Sequence, residues 1–529
     1  MKNLFLPYLL LTTFLASSFV KADEMTFIAT GEHNDWHSTS NWLPGVVPAL
    51  KNEPAANSVK FSGLPTSPTS RLYFNEGAGT YNVIDFTYDD AASILIRNGS
   101  LEGTTSTVLL NVTGDLTKGG NGNLRFHTAS GGSIALKIEG DLTVNAGTVQ
   151  VGSDFAVAQN LTIEGNTTIN GGRLSMRLST RDNAAAPIRL GNVNVKAGAD
   201  LQLWEGSNSS TATQYFRASG LNGGGNVYIT NLTSSAQKYS GSLEIDTATE
   251  NNVFSGILSE KGGNAILSIA KKGIGSLTLS GSNDYSGTTS VEGGRLIVAH
   301  DHALGTGTAA VTSGTLAIRN ETTVGNQLMV DGGTLLVNGG VSGINAAVAF
   351  GAAGGRLEGS GRIDVAIALD HVNRILAPGE GVGVQTFGEN QAWTALTYEW
   401  EIRSWMEDEA GVGYDQIAIL GGLDLAGSTE IRLKLSTLLP DAQSGPLSDF
   451  SDISRSWVIL TTTAGIDQFD LSKWHIDADL FQNGFTGEWS LNQSGNHLVL
   501  SYAAIPEGST IALLLAGGAI MMIPARRRG

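Results

Sequence analysis

A Gly-x-Leu motif that recurs about every twenty residues constrains this chain more than any other feature. Its glycine stands at Gly294, Gly314, Gly333 and Gly355, at intervals of 20, 19 and 22 residues. Short apolar alternations follow it, as in Leu296-Ile297-Val298. A fixed period with short strands is typical of a solenoid, because one such repeat cannot bury its apolar face without its neighbours.

Repeat length and composition together predict an all-β fold. Twenty residues are too few for a propeller blade or a helical repeat, but they suit one coil of a parallel β-helix. Glycine, at 68 of 529 residues, favours turns and weakens helices. We therefore expect a right-handed parallel β-helix with β-rich caps at both ends. Aliphatic residues of each strand should point into the stack, and threonine, serine or asparagine should point outward.

Changes of motif divide the chain into five predicted segments. A second motif, Gly-Asp-Leu-Thr, begins at Gly114 and at Gly140 and lies within the repeats, whereas longer alternating strands such as 431–435 follow them. The predicted segments are a signal peptide (1–22), an aromatic N-terminal capping segment (23–97), parallel β-helix repeats (98–362), a C-terminal β-rich region (363–503) and a sorting and membrane segment (504–529).

The N-terminus has the pattern of a secretory signal peptide. Lys2 precedes an apolar run from Leu4 to Val20, and Val20-Lys21-Ala22 places small or aliphatic residues at positions minus three and minus one of a cleavage site. We expect cleavage after Ala22 and export of the remaining chain.

The C-terminus has the pattern of a second targeting signal. Pro506 and Glu507 precede an apolar run from Ile511 to Ile523, and a basic cluster follows, formed by Arg526, Arg527 and Arg528. The run is marginal for spanning a bilayer, and the arginines would stay on the cytoplasmic side. This order resembles the PEP-CTERM sorting signal, although Gly508 stands where that family usually has a second proline. The resemblance implies a partner, an exosortase-type sorting protease, and transient insertion of the tail in the inner membrane.

The first part of the exported chain is rich in aromatic residues. Trp36, Asn41-Trp42 and Gly45-Val46-Val47-Pro48 come in an order that resembles the segment preceding autotransporter-associated β-strand repeats. An atypical aromatic segment at the end of a stack is what a cap requires, because an open stack exposes core and backbone. We interpret Trp36 and Trp42 as cap residues; the alternative is a platform on which sugar rings stack.

One stretch in the middle of the chain carries a more specific resemblance. The stretches 254–257, 273–289 and 294–298 include Asn283-Asp284-Tyr285-Ser286-Gly287 and resemble the autotransporter-associated β-strand repeat. In that family such repeats form β-helical passenger or surface proteins and bring no catalytic residues of their own. The resemblance implies a cell-surface or extracellular location.

Charge and cysteine content exclude several classes of function. The net charge of -17 excludes sequence-independent binding of phosphate backbones, so nucleic acid is not an expected partner. The chain has no cysteine, which excludes disulfides, thiolate nucleophiles and cysteine-ligated zinc.

The sequence contains few candidate catalytic or metal-binding residues. Glu407-Asp408-Glu409 beside Trp405 could bind a cation or act on a glycan, and His300 with His302 could hold a metal, but we interpret both groups as loops. No serine-hydrolase elbow, HExxH, EF-hand or Walker A motif is present. We expect no catalytic residue, no cofactor and no metal.

These observations predict an exported, non-enzymatic surface or matrix protein with a structural or adhesive role, and the resemblance to the PEP-CTERM family implies extracellular polysaccharide as a partner. One alternative is a β-helix that binds or cleaves polysaccharide. The observation that would distinguish it is an exposed tryptophan, from among Trp204, Trp393, Trp400 and Trp405, in a groove with two carboxylates within reach. A further alternative is an autotransporter passenger, although the expected series of amphipathic barrel strands is missing from the C-terminus.

Overall fold

The computed structural model describes residues 23–505, apart from 29–32, 46, 48–51, 56, 65–69, 75–78, 99–106, 128–132, 153–160, 177–186, 207–212, 232–238, 249–250 and 263. Over this part of the chain the regular structure is β-strand, with two single-turn 3-10 helices, Thr39–Asn41 and Leu471–Lys473, and no α-helix. Three strand pairs are antiparallel and the remaining described pairs are parallel. The predicted parallel β-helix is confirmed.

The chain winds through three strand-bearing faces, named A, C and B in the order of one coil. Asn57–Phe61 lies on face A, Ser70–Phe74 on face C and Gly79–Val83 on face B, and the next coil begins at Phe86–Tyr88 on face A. Each strand pairs with the strand of the same face in the next coil. The aliphatic side chains of all three faces fill one continuous interior.

The strands of face A are Asp23–Phe27, Asn57–Phe61, Phe86–Tyr88, Leu116–Lys118, Leu142–Val144, Asn166–Ile169, Asn192–Val195, Gly220–Gly223, Asn251–Phe254, Ser276–Leu279, Thr334–Val337, Gly355–Gly359, Glu430–Thr437 and Trp474–Leu480. The strands of face B are Gly79–Val83, Thr107–Val112, Ser133–Ile138, Leu161–Ile163, Ile188–Arg189, Thr213–Ala218, Tyr239–Asp246, Ala265–Lys272, Gln327–Val330, Ala347–Phe350, Gly422–Asp424 and Gly465–Asp467. Four strands run over the corner from face B into face A: Thr289–Val298, Ala309–Ile318, Leu369–Pro378 and Gln391–Ile402.

Face C consists of two ladders. The first contains His33–Asp35, Ser70–Phe74, Ile94–Asn98, Asn123–His127, Thr148–Val151, Arg173–Met176, Asp200–Gly206, Asn226–Asn231 and Ile257–Lys261. The second contains Thr323–Val324, Gly340–Val341, Arg362–Ile363, Val384–Phe387, Gln416–Ile419, Arg455–Thr462, His497–Ala503 and Glu488–Ser494. The short strand Trp42–Leu43 closes the N-terminal end.

The register of the middle coils follows the spacing of the glycine motif. Arg295 pairs with Thr315, Thr315 with Thr334, and Thr334 with Arg356. These steps reproduce the sequence intervals of 20, 19 and 22 residues. The motif therefore marks the same position in successive coils, as predicted.

Coils towards either end are longer than twenty residues. On face A, Phe86 pairs with Leu116 and Leu116 with Leu142, which are steps of 30 and 26 residues. Near the C-terminus Ile431 pairs with Trp474, a step of 43 residues. The short coils therefore form a narrower part of the rod between two thicker parts. We call residues 276–374 the waist.

The Gly-Asp-Leu-Thr motif forms the corner between faces B and A. The Asp115 backbone N–H donates to Asp85 Oδ1 at 3.0 Å, and the Asp141 N–H donates to Asp115 Oδ1 at 2.8 Å. Each carboxylate thus accepts a hydrogen bond from the next coil. A Cβ atom on Gly140 would lie 2.5 Å from the carbonyl oxygen of Gly114, so this position has no room for a side chain. The leucine after the aspartate points into the core.

The N-terminal end is closed by an antiparallel pair and an aromatic cluster. Thr26 and Phe27 pair with Leu43 and Trp42. Trp36 and Trp42 are 0% and 1% exposed, and their ring centroids lie 5.1 Å apart. The Trp42 indole N–H donates to the Trp36 carbonyl at 2.9 Å. Both tryptophans are therefore part of the cap core, and the alternative of a sugar-stacking platform is wrong.

The C-terminal end is closed in the same way. His497–Ala503 pairs antiparallel with Arg455–Thr462 on one side and with Glu488–Ser494 on the other. Trp405 and Trp457 pack edge to face beneath these strands at 4.9 Å between ring centroids. The segment boundaries predicted at 97–98 and 362–363 fall within parallel strands. These strands pair with strands of the coils on either side.

Replacing Gly140 by alanine should lower the free energy of unfolding by about 1–3 kcal/mol, because the new Cβ meets a backbone carbonyl of the preceding coil. The matched control is Gly484→Ala, whose Cβ has no neighbouring atom within 4 Å and should change stability by less than about 0.5 kcal/mol. Urea unfolding followed by circular dichroism measures both variants. Equal midpoints for the two variants would contradict the corner assignment.

Candidate functional site

The residues predicted as sorting and cleavage signals lie outside the described part of the chain. They are Ala22, Pro506, Glu507, Arg526, Arg527 and Arg528. Among residues 23–505, outside the gaps given above, no helix has the length and apolar character needed to cross a bilayer.

The tryptophans proposed as an exposed binding platform are interior residues. Trp393 is 1% exposed, and Trp400 and Trp405 are 0% exposed. The Trp400 indole N–H donates to the Asp415 carbonyl at 2.9 Å. The side chain of Trp204 is not among those described. For the other three, the expectation of an aromatic groove is wrong. Strand alternation turns the rings of Trp393 and Trp400 into the core, and Trp405, which follows that strand, packs against Trp457 beneath the C-terminal cap.

The acidic stretch after Trp405 is a surface turn. Glu407 Oε1 accepts the backbone N–H groups of Asp408 and Glu409 at 3.0 and 3.1 Å. Asp408 forms an ion pair with Arg455. The carboxylates therefore close the turn on itself and neutralise an arginine, and the loop interpretation is supported.

His300 and His302 also belong to a turn. The His302 backbone N–H donates to His300 Nδ1 at 3.1 Å, and the two rings are 5.7 Å apart. His302 Nδ1 lies 3.4 Å from the Ser282 hydroxyl. No group of three or more metal-ligating side chains occurs within the described residues.

Sequence reasoning missed a buried carboxylate, Asp415. Its two oxygens accept the backbone N–H groups of Gly383 and Glu401 at 2.8 and 2.9 Å. Burial raises the pKa of Asp415 and the Glu401 carboxylate raises it further, whereas the two N–H donors favour ionisation. Because each oxygen accepts a backbone N–H, Asp415 ties the strand that contains Glu401 to the loop that contains Gly383. Its only sequence signal is a charge between Tyr414 and Gln416.

Two lysines are also buried in the core. The Lys118 ammonium donates to the carbonyl oxygens of Gly120 and Ala146 and lies 5.1 Å from the centre of the Tyr88 ring. Both Lys118 and Lys271 are 0% exposed. Burial lowers the pKa of each ammonium from 10.5 to about 8, and nearby aspartates offset this in part. Lys118 occupies an inward position of a strand alternation, which is the sequence signal for its burial.

Lys271 connects the coil before the waist to the first coil of the waist. Its ammonium donates to the carbonyl oxygens of Lys272, Gly273 and Gly293 at 2.5, 3.1 and 3.2 Å. Gly293 belongs to the following coil, so this one side chain connects two coils through their corner carbonyls.

A polar groove runs along face A of the waist. Ile297 and Ala317, from neighbouring strands, form its floor. One wall is the turn 319–322. The other is a strap at 379–383 that folds back over the coils and places Glu380 against Arg295. The volume is about 830 Å³. We call this cavity the waist groove.

One ion pair and one hydrogen bond to an amide side chain hold the strap in place. Glu380 Oε2 lies 3.2 Å from Arg295 Nη2, and Glu380 Oε1 accepts from Asn338 Nδ2 at 2.7 Å. Asn338 Oδ1 in turn accepts the Ser360 backbone N–H at 3.2 Å. Sequence reasoning missed this site because Glu380 and Arg295 are 85 residues apart and no local pattern connects them.

An asparagine side chain links the coils on face C of the waist, between the two ladders. Asn283 Oδ1 accepts the Leu258 N–H at 2.8 Å, and Asn283 Nδ2 donates to the Ala303 carbonyl at 2.7 Å. This side chain therefore joins three successive coils. Nearby, the buried Tyr285 hydroxyl is 2.6 Å from Thr289 Oγ1, and a Cβ on Gly287 would lie 2.2 Å from a backbone carbonyl.

The comparison with protein families agrees with this local structure. Residues 269–298 match the passenger-associated transport repeat. None of the curated proteins matches the chain. The matched stretch contains Asn283, which bonds to a neighbouring coil, and Gly287, where the backbone of the preceding coil leaves no room for a side chain. It also contains Tyr285, whose buried hydroxyl contacts Thr289 of the same coil. The predicted autotransporter-associated repeat is confirmed over these thirty residues.

The two buried lysines predict a dependence of stability on pH. Below pH 8 they are protonated in both the folded and the unfolded chain. Between about pH 8 and 10.5 the unfolded chain binds more protons, so stability should rise with pH. The melting temperature measured from pH 8 to 9.5, below the ordinary pKa of about 10 for tyrosine, tests this. The Lys118→Met, Lys271→Met double variant should lose the rise, and the exposed control Lys473→Met should keep it. A rise that persists in the double variant would assign it to other groups.

Proposed function

We propose that this chain is an exported, non-enzymatic protein of the cell surface or extracellular matrix with a structural or adhesive role. The observation that carries the proposal is a continuous, doubly capped parallel β-helix that contains a passenger-associated transport repeat. Repeats of this kind belong to proteins that are moved to the cell exterior. A rod in which Asp415, Glu407 and His300 serve turns and backbone contacts is suited to span distance and present a surface.

An autotransporter-type passenger is the second candidate, and the matched repeat favours it. The two candidates share the exported rod and differ in how the chain reaches the surface. In the passenger route the rod is carried out by a translocating domain. In the sorting route an exosortase-type protease recognises the C-terminal tail, and the tail inserts transiently in the inner membrane.

The end of the described fold is compatible with removal of the tail. The Ala504 backbone N–H donates to Ser454 Oγ at 3.0 Å, which ties the last strand to the body. The next residue, Ile505, is 56% exposed. Pro506 and Glu507 follow directly, so a protease could act beside them without breaking a strand of the C-terminal cap.

Replacing Pro506 and Glu507 together by alanine should prevent tail removal and hold the protein in the inner-membrane fraction. The matched control, Ser509→Ala with Thr510→Ala, should be processed and reach the cell exterior. Cell fractionation and mass analysis of the C-terminus measure both outcomes. A surface-located protein with an intact tail would overturn the sorting route and favour the passenger route. Retention of the unaltered chain in the cytoplasm would overturn export altogether.

A further inference from the structure

We propose that the waist groove binds a segment of a neutral polysaccharide. This inference rests on the proposed surface function and names the ligand class and the residues that would meet it. The groove volume of about 830 Å³ lies within the range of about 300–1,000 Å³ found for small-ligand sites. Its lining residues come from successive coils, so an extended chain could lie across them.

The lining offers both donors and acceptors, as sugar hydroxyls require. Arg319 supplies only N–H donors, Glu321 supplies only acceptors, and the amide of Asn320 between them supplies both. A sugar hydroxyl donates one hydrogen bond and accepts others, so a row of alternating donors and acceptors suits neighbouring hydroxyls. Ile297 and Ala317 give the floor an apolar surface for the C–H face of a sugar ring.

Charge favours a neutral ligand over an acidic one. The lining contains two arginines and two glutamates, and one pair, Arg295 and Glu380, is already joined at 3.2 Å. The charges of the remaining two side chains, Arg319 and Glu321, also cancel. A phosphate or uronate would need donors without acceptors, and the net charge of -17 repels polyanions at long range.

The wall that carries these side chains is backbone-strained. Glu321 has a φ of 65°, in the left-handed region that glycine adopts without penalty. It lies in a tight turn in which the Thr322 N–H donates to the Arg319 carbonyl at 3.2 Å. Glycine would serve this turn better than glutamate, so the carboxylate at this position points to a role other than stability.

The strap gives the groove a fixed second wall. Gly359 and Gly379 exchange two backbone hydrogen bonds, of 3.0 and 2.9 Å, which anchor the start of the strap to the preceding coil. Its other end is held by Asp415, whose carboxylate accepts the Gly383 N–H at 2.8 Å. Both walls are therefore formed without a ligand, so binding need not order the strap.

Affinity electrophoresis of the purified full chain in native gels containing dextran, laminarin, hydroxyethyl cellulose or sodium alginate tests the proposal. At least one of the three neutral polysaccharides should retard the protein. Arg319→Ala and Glu321→Gly should each weaken that binding tenfold or more. The control Arg432→Ala removes an exposed arginine of face A outside the groove and should leave binding unchanged.

Glu321→Gly separates binding from folding, because it should not lower the melting temperature while it removes the carboxylate. Retardation by none of the neutral polysaccharides, or by alginate alone, would overturn the proposal. Equal retardation of the unaltered chain and both groove variants would also overturn it. Cell fractionation tests surface location separately, so a failure of binding would leave the proposed export intact.

Discussion

Backbone hydrogen bonding between successive coils is the constraint on which this structure depends. Parallel strands stack about 4.8 Å apart, so the chain must return to the same position after each coil. Where it turns from face B to face A, the corner backbones approach so closely that a Cβ on Gly140 or Gly294 would lie 2.2–2.5 Å from atoms of the preceding coil. Glycine at the corners is therefore a requirement of stacking, and its spacing along the sequence reports the length of each coil.

The same stacking determines what the side chains do. Inward positions form one long apolar interior, and outward positions form ladders in which a residue meets its counterpart one coil away. Arg217, Glu244 and Lys272 make such a ladder, with N–O distances of 2.6 and 3.1 Å. A stack of this kind has open ends, which would expose core and unpaired backbone. At both ends the described chain turns antiparallel and covers the interior with aromatic rings.

Sequence patterns predicted the parts of this fold that repeat. The glycine intervals predicted the register of the middle coils. The alternation of apolar and acidic residues in Tyr398-Glu399-Trp400-Glu401-Ile402 indicates that the Trp400 side chain points into the core. The Gly-Asp-Leu-Thr motif marked one of the longer coils, with the 26-residue step from Leu116 to Leu142. Most of the other longer coils were not predictable, because their strands are joined by loops without a shared motif. The waist groove was not predictable either. Its second wall depends on Glu380 reaching Arg295 from a distant coil, and only the folded stack brings the two together.

Cross-linking of paired cysteines tests the stacked register most directly, since the chain has no cysteine of its own. Thr315 and Thr334 are partners on neighbouring strands, and Thr334 and Arg356 are partners one coil further on. Cysteines at 315 and 334 should form a disulfide under mild oxidation, because neighbouring strands lie within the Cα separation of about 4.4–6.8 Å that a disulfide spans. Cysteines at 315 and 356, about 10 Å apart across two coils, should stay reduced. Oxidation of the second pair in preference to the first would contradict the β-helix register on which the groove and its proposed ligand depend.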